Sequence, residues 1–80
     1  MKIPVIKKLV EAYDLASLQL AEEALMEEQM PAIEIEGDDE GEQLTHILAA
    51  IWIKQEIEKT GDAFPLALRA YTSRVRTSIS

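Results

Sequence analysis

The chain predicts an all-α fold, a small bundle of three to four helices, and three observations point there. Apolar residues recur at helical spacing in four separate stretches. Boundary residues suited to helix ends, among them Pro4, Asp14, Pro31 and Gly61, separate those stretches. Period-two patterning is confined to Ile33-Glu34-Ile35-Glu36, a short extended segment within residues 32–36 with no partner strand elsewhere in the chain.

The first helix follows from Pro4, which the first helical turn tolerates, and from apolar residues at 5, 6, 9, 10 and 13. Asp14 then suits the N-cap of a second helix over about Leu15 to Gln29. Its inner stripe is Leu18, Ala21 and Leu25, and Glu22, Glu23, Glu27 and Glu28 form the outer face. Pro31 ends it. The extended segment that follows is either a loop held by two Ile anchors or an edge that pairs with its copy in a second subunit.

A third helix begins near Asp38, Asp39 or Glu40, whose carboxylates complement the free amides and positive end of a helix. Lys59 in its last turn and Gly61 just beyond place its end. Leu44, Ile47, Leu48, Ala50, Ile51, Trp52, Ile53 and Ile57 make it apolar almost all round, so it is the central helix. Asp62 suits the cap of a fourth, with Phe64, Leu68, Tyr71, Val75 and Ile79 as its inner stripe and Pro65 in its first turn.

Eighty residues form one domain, residues 1–80, and a chain of this size buries about 60–65% of its unfolded surface. With no Cys there is no disulfide or thiolate metal site to add stability. Residues 47–53 carry more apolar surface than three short neighbours are expected to cover. A homodimer is therefore the expected way to complete the core, with Leu48, Ile51, Trp52, Ile53, Tyr71 and Val75 as the core and dimer residues.

Charge is segregated. No Lys or Arg lies between Val10 and Ile53, a stretch holding twelve Asp and Glu, while Lys2, Lys7 and Lys8 precede it and Arg69, Arg74 and Arg76 follow. The formal net charge of −7 disfavours nucleic acid and anionic lipid as partners, since both are gripped through excess Lys and Arg. The longest apolar run, residues 47–53, is far short of the ~20 residues of a bilayer span, and residues 1–10 lack a signal peptide's apolar region. The expectation is a cytoplasmic protein with no membrane and no nucleic-acid partner.

Constellations that could carry chemistry are few. Glu42 and His46 share a helix face four residues apart, the spacing of a hydrogen-bonded or metal-ligating pair, and Asp38, Asp39 and Glu40 add oxygen donors nearby. Carboxylate-bridged di-iron bundles use Glu-x-x-His twice, whereas Glu-x-x-x-His occurs here once. Residues 37–42 also miss the calcium-loop pattern, with Gly41 in the fourth place and Ala49 in the twelfth. His46 is expected to be a partly exposed residue paired with Glu42 or solvent. No acid sits inside an apolar pattern that would separate two carboxylate pKa values, no Ser stands in a Gly-x-Ser-x-Gly elbow, and the glycines form no phosphate loop. The chain is read as non-enzymatic and without a cofactor. Arg69 and Arg76, with Arg74, Thr72, Ser73, Thr77 and Ser78, form a small phosphate-contacting surface, which the acidic middle opposes.

Ile3-Pro4-Val5-Ile6-Lys7-Lys8-Leu9 at the front, and Ala67-Leu68, Tyr71, Arg74-Val75 and Ser78-Ile79 at the end, resemble the termini of a family of small, acidic, all-helical bacterial proteins of uncharacterised function. That resemblance implies a self-standing helical protein and carries over no activity, cofactor or catalytic residue. Three functional readings result. The first is a homodimeric protein-interaction or adaptor module whose acids, Glu22, Glu23, Glu27, Glu28, Glu34 and Glu36, meet a basic partner. The second is a divalent-metal protein using Glu42, His46 and the acids at 38–40. The third is weak nucleic-acid contact through the C-terminal Arg helix.

Overall fold

The computed structural model describes the backbone of residues 2–79 and the side chains of residues 2–76. Four helices appear in chain order: α1 (Ile3–Ala12), α2 (Leu15–Met26), α3 (Glu40–Thr60) and α4 (Phe64–Ile79). α3 packs against each of the other three and is the central element. Among the described residues there is no strand.

Local chemistry accounts for the boundaries. Pro4 lies in the first turn of α1, where its missing N–H costs nothing. Asp14 and Asp39 cap α2 and α3 through their Oδ1 atoms, which accept from the Ser17 amide at 2.8 Å and the Glu42 amide at 2.7 Å. Gly61 takes the left-handed conformation (φ 77°) that ends α3, and its amide donates to the Ile57 carbonyl at 2.7 Å.

α2 stops at Met26, three residues before the expected Gln29. Glu28 adopts a left-handed backbone (φ 59°). Its amide donates to Leu25 at 3.1 Å and that of Gln29 to Ala24 at 2.7 Å. These two bonds make a Schellman ending, built on a glutamate where glycine is the common choice. α4 opens just after Ala63, whose carbonyl accepts from Leu66 and Ala67, so it begins slightly later than an Asp62 cap would place it.

The core joins Ile6, Leu9 and Val10 of α1, Leu18, Ala21 and Leu25 of α2, Ile47, Ala50 and Ile53 of α3, and Ala67 of α4. Burial of each large aliphatic side chain stabilises the fold by about 1.5–3 kcal/mol. Lys54 ties two helices together by donating from Nζ to the Val10 carbonyl at 3.0 Å, satisfying an orphan acceptor at the end of α1. Residues 32–36 form an irregular loop: Ile35 is buried, Ile33 half-buried, and Glu34 and Glu36 exposed. The loop therefore anchors through isoleucine within its own chain.

Burial corrects the expectation about the central helix. Ile47, Ala49, Ala50, Ile51 and Ile53 are all buried within one chain, so three neighbours cover most of that surface. Leu48 is 42% exposed, because it shares an uncovered face with Thr45 and Gln55. Val75 is 39% exposed, and α3 is the main neighbour of α4. Trp52 and Tyr71 are half-buried against each other, with ring centroids 5.6 Å apart and planes inclined at 52°. The side chain of Ile79, the last of the expected inner stripe, lies outside the described residues.

Candidate functional site

His46 sits at the meeting of three segments. Its Nε2 accepts from the Lys2 amide at 2.9 Å, at the entry to α1, and its Nδ1 lies 2.8 Å from the Glu36 carbonyl in the loop before α3. A carbonyl only accepts, so Nδ1 carries the proton and Nε2 the lone pair; one neutral tautomer satisfies both contacts. The ring is completely buried, which corrects the expectation of a partly exposed residue. A sequence pattern marks neighbours four apart on a helix, but the partners here are backbone groups of Lys2 and Glu36 on other segments.

This geometry bears on metal binding. Glu42 Oε1 stands 4.0 Å from His46 Nε2, beyond hydrogen-bond reach. That oxygen is buried and has no hydrogen-bond partner. Ligation through Nε2 would require breaking the Lys2 contact, and ligation through Nδ1 would require breaking the Glu36 contact. Asp38, Asp39 and Glu40 are exposed, and the Asp39 carboxylate is already engaged as a cap. Among the described residues no group of three His, Asp or Glu side chains is placed to hold a metal ion.

The acids named as partner-binding residues mostly face solvent. Glu23, Glu27, Glu28, Glu34 and Glu36 are exposed and Glu22 is half-buried. Three of the structure's carboxylates, Glu28, Glu34 and Glu40, also rim an open cleft of about 660 Å³ between the end of α2, the following loop and the start of α3. Leu25, Ile33 and Ile35 contribute apolar lining. Sequence reasoning identified the acids but not the cleft, because the left-handed turn at Glu28 that folds the loop back is invisible to helical spacing.

Arg69, Arg74 and Arg76 are exposed on α4. The Thr72 hydroxyl donates to the Arg69 carbonyl at 3.0 Å and is thus engaged within the helix. The side chains of Thr77 and Ser78 lie outside the described residues. No helix among the described residues is long and apolar enough to cross a membrane.

A central helix clasped by three others, a histidine holding the loop, and a carboxylate-rimmed cleft define a small all-α protein. The chain belongs to a family of unknown function, DUF6952, whose model matches residues 1–80. No curated protein and no solved structure matches it.

Proposed function

We propose that the protein is a cytoplasmic, non-enzymatic, homodimeric interaction or adaptor module whose acidic face meets a basic partner. The observation that carries this reading is the exposure of Glu23, Glu27, Glu28, Glu34 and Glu36 in a stretch of chain that contains no Lys or Arg. Such a field steers encounter and selects partners by sign.

The homodimer finds support in the seam between α3 and α4. A three-residue connection, 61–63, joins these helices, and Trp52 and Tyr71, each about two turns from it, meet across the seam. Leu48 lies one turn before Trp52 on α3, and Val75 one turn after Tyr71 on α4, which extends the half-buried Trp52–Tyr71 pair into a partly open apolar strip. A second copy would cover it.

Sedimentation is expected to give twice the 9.0 kDa chain mass. A single-chain mass at all concentrations would remove the homodimer. Capture from lysate on the immobilised protein at roughly 50 and 500 mM salt tests the acidic face, with a partner expected to be held only at the lower salt. Absence of any salt-sensitive partner would count against the adaptor role.

A further inference from the structure

We propose that the cleft at the end of α2 is the docking groove for one class of partner, a cationic amphipathic peptide segment; this rests on the acidic-face reading above and narrows it to one place. The floor is apolar, from Leu25, Ile33 and Ile35, and the rim carries Glu28, Glu34 and Glu40 with no lysine or arginine among the lining residues. That combination complements a segment presenting Leu-like side chains on one face and Lys or Arg on the other.

Two further features single out this site. Glu28 holds a left-handed backbone (φ 59°), a conformation unfavourable to a residue with a Cβ, and its position is on the rim. Strain of this kind, kept where glycine would relieve it, concentrates at functional positions. Met30, also lining the cleft, is 94% exposed, and a flexible thioether standing in water at a groove edge is suited to pack against varied apolar partners.

An extended occupant is favoured over a small molecule. A small-molecule pocket encloses most of its ligand, about 70–90% of the surface. Here Glu28, Gln29, Met30, Glu34 and Glu40 are themselves exposed, so the cleft offers a floor and a rim but no enclosure.

The test is fluorescence anisotropy with a labelled synthetic peptide of about 14 residues, Leu on one helical face and Lys on the other. The intact chain is compared with two triple variants of equal charge: Glu28→Gln/Glu34→Gln/Glu40→Gln at the rim, and Glu11→Gln/Glu58→Gln/Asp62→Asn, exposed acids outside both the cleft and the acidic face. The rim variant is expected to bind about tenfold more weakly while the control stays within about threefold. A peptide with Leu replaced by Ser is expected to lose binding to the intact chain.

Equal weakening by both variants would overturn the groove while leaving the acidic-face reading in place, since the whole field would then be responsible. Undiminished binding of the Ser peptide, or full displacement by spermidine at equal concentration, would overturn it too, because charge alone would be read. Failure of the Leu–Lys peptide to bind the intact chain would overturn it outright. A rim variant that changes sedimentation mass would assign the cleft to a second copy of the chain and overturn the proposal. Unchanged circular dichroism and melting of both variants ensure that the comparison reads binding.

Discussion

The Lys2 amide donates to Nε2 of His46 at 2.9 Å across 44 positions of sequence, and through that bond the start of α1 is fixed to the N-terminal half of α3. The same imidazole reaches the Glu36 carbonyl on its other side. One buried side chain therefore satisfies a donor at a helix entry and an acceptor in a loop, both backbone groups at the edge of the core where the bonds are only partly shielded from water. A histidine is well matched to the task, because its neutral ring offers a donor and an acceptor at opposed positions.

His46→Ala should remove both bonds and leave a small cavity. Each part-buried hydrogen bond lost costs about 0.5–1.5 kcal/mol and the emptied site adds about 1 kcal/mol, so a total loss of about 2–4 kcal/mol is expected. Urea denaturation near neutral pH measures it. A loss below about 0.5 kcal/mol would mean that water replaces the ring at no cost and that His46 is not the tie described.

Gly37 lies next to the Glu36 carbonyl and close to the start of α3. A Cβ there would meet the Gln43 backbone nitrogen at 2.9 Å and its Cα at 3.2 Å, contacts that backbone cannot easily yield. Gly37→Ala is expected to push the loop away from α3 and loosen the His46 contact, costing about 1–3 kcal/mol. Gly61→Ala offers a contrast: nothing lies within 4 Å of its Cβ, so only the left-handed backbone (φ 77°) resists, at about 1 kcal/mol. Hydrogen exchange separates the two. Gly37→Ala should raise exchange at the Lys2 amide, and Gly61→Ala should not; equal exchange there in both variants would refute the loop argument.

Asp14 supplies a pH dependence. The backbone hydrogen bond from Ser17 holds its carboxyl below the ordinary value of 3.8, with the Ser17 side chain and the Lys54 charge acting the same way. A carboxylate with a depressed folded value contributes stability that is fully present above about pH 3.8 and disappears as pH falls through the lower folded value. The stability gap between the intact chain and Asp14→Ala should therefore be constant near neutrality and narrow in acid. Denaturant midpoints measured across that range decide it, and a gap independent of pH would exclude a charge-assisted cap.

The sequence made the four helices legible because their signals are local. Asp14, Asp39 and Gly61 act within a turn of where they sit, and the spacing of Leu18, Ala21 and Leu25 marks a face whatever covers it. What spacing cannot supply is how much of a face a neighbour reaches. Ile53 and Leu48 look equally apolar in the chain, yet one is buried and the other stands on the side of α3 that no helix covers. The His46 tie was hidden for the same reason, since its partners are main-chain groups on other segments and leave no residue signature. The cleft depends on a left-handed glutamate, which sequence patterns treat as one more position in a helix.

That glutamate gives the last prediction. Glu28→Gly keeps the Schellman bonds from residues 28 and 29 and removes the Cβ that opposes a left-handed φ, so it should stabilise the chain by about 0.5–1 kcal/mol. The same change deletes one rim carboxylate and frees the loop that shapes the cleft, so affinity for the cationic peptide should fall even as the melting temperature rises. Glu28→Gln separates the effects, because it keeps the strained backbone while removing the charge. It should weaken peptide binding without the gain in stability. If Glu28→Gly is no more stable than the intact chain, the left-handed turn is not strained, and the link between that strain and the groove fails.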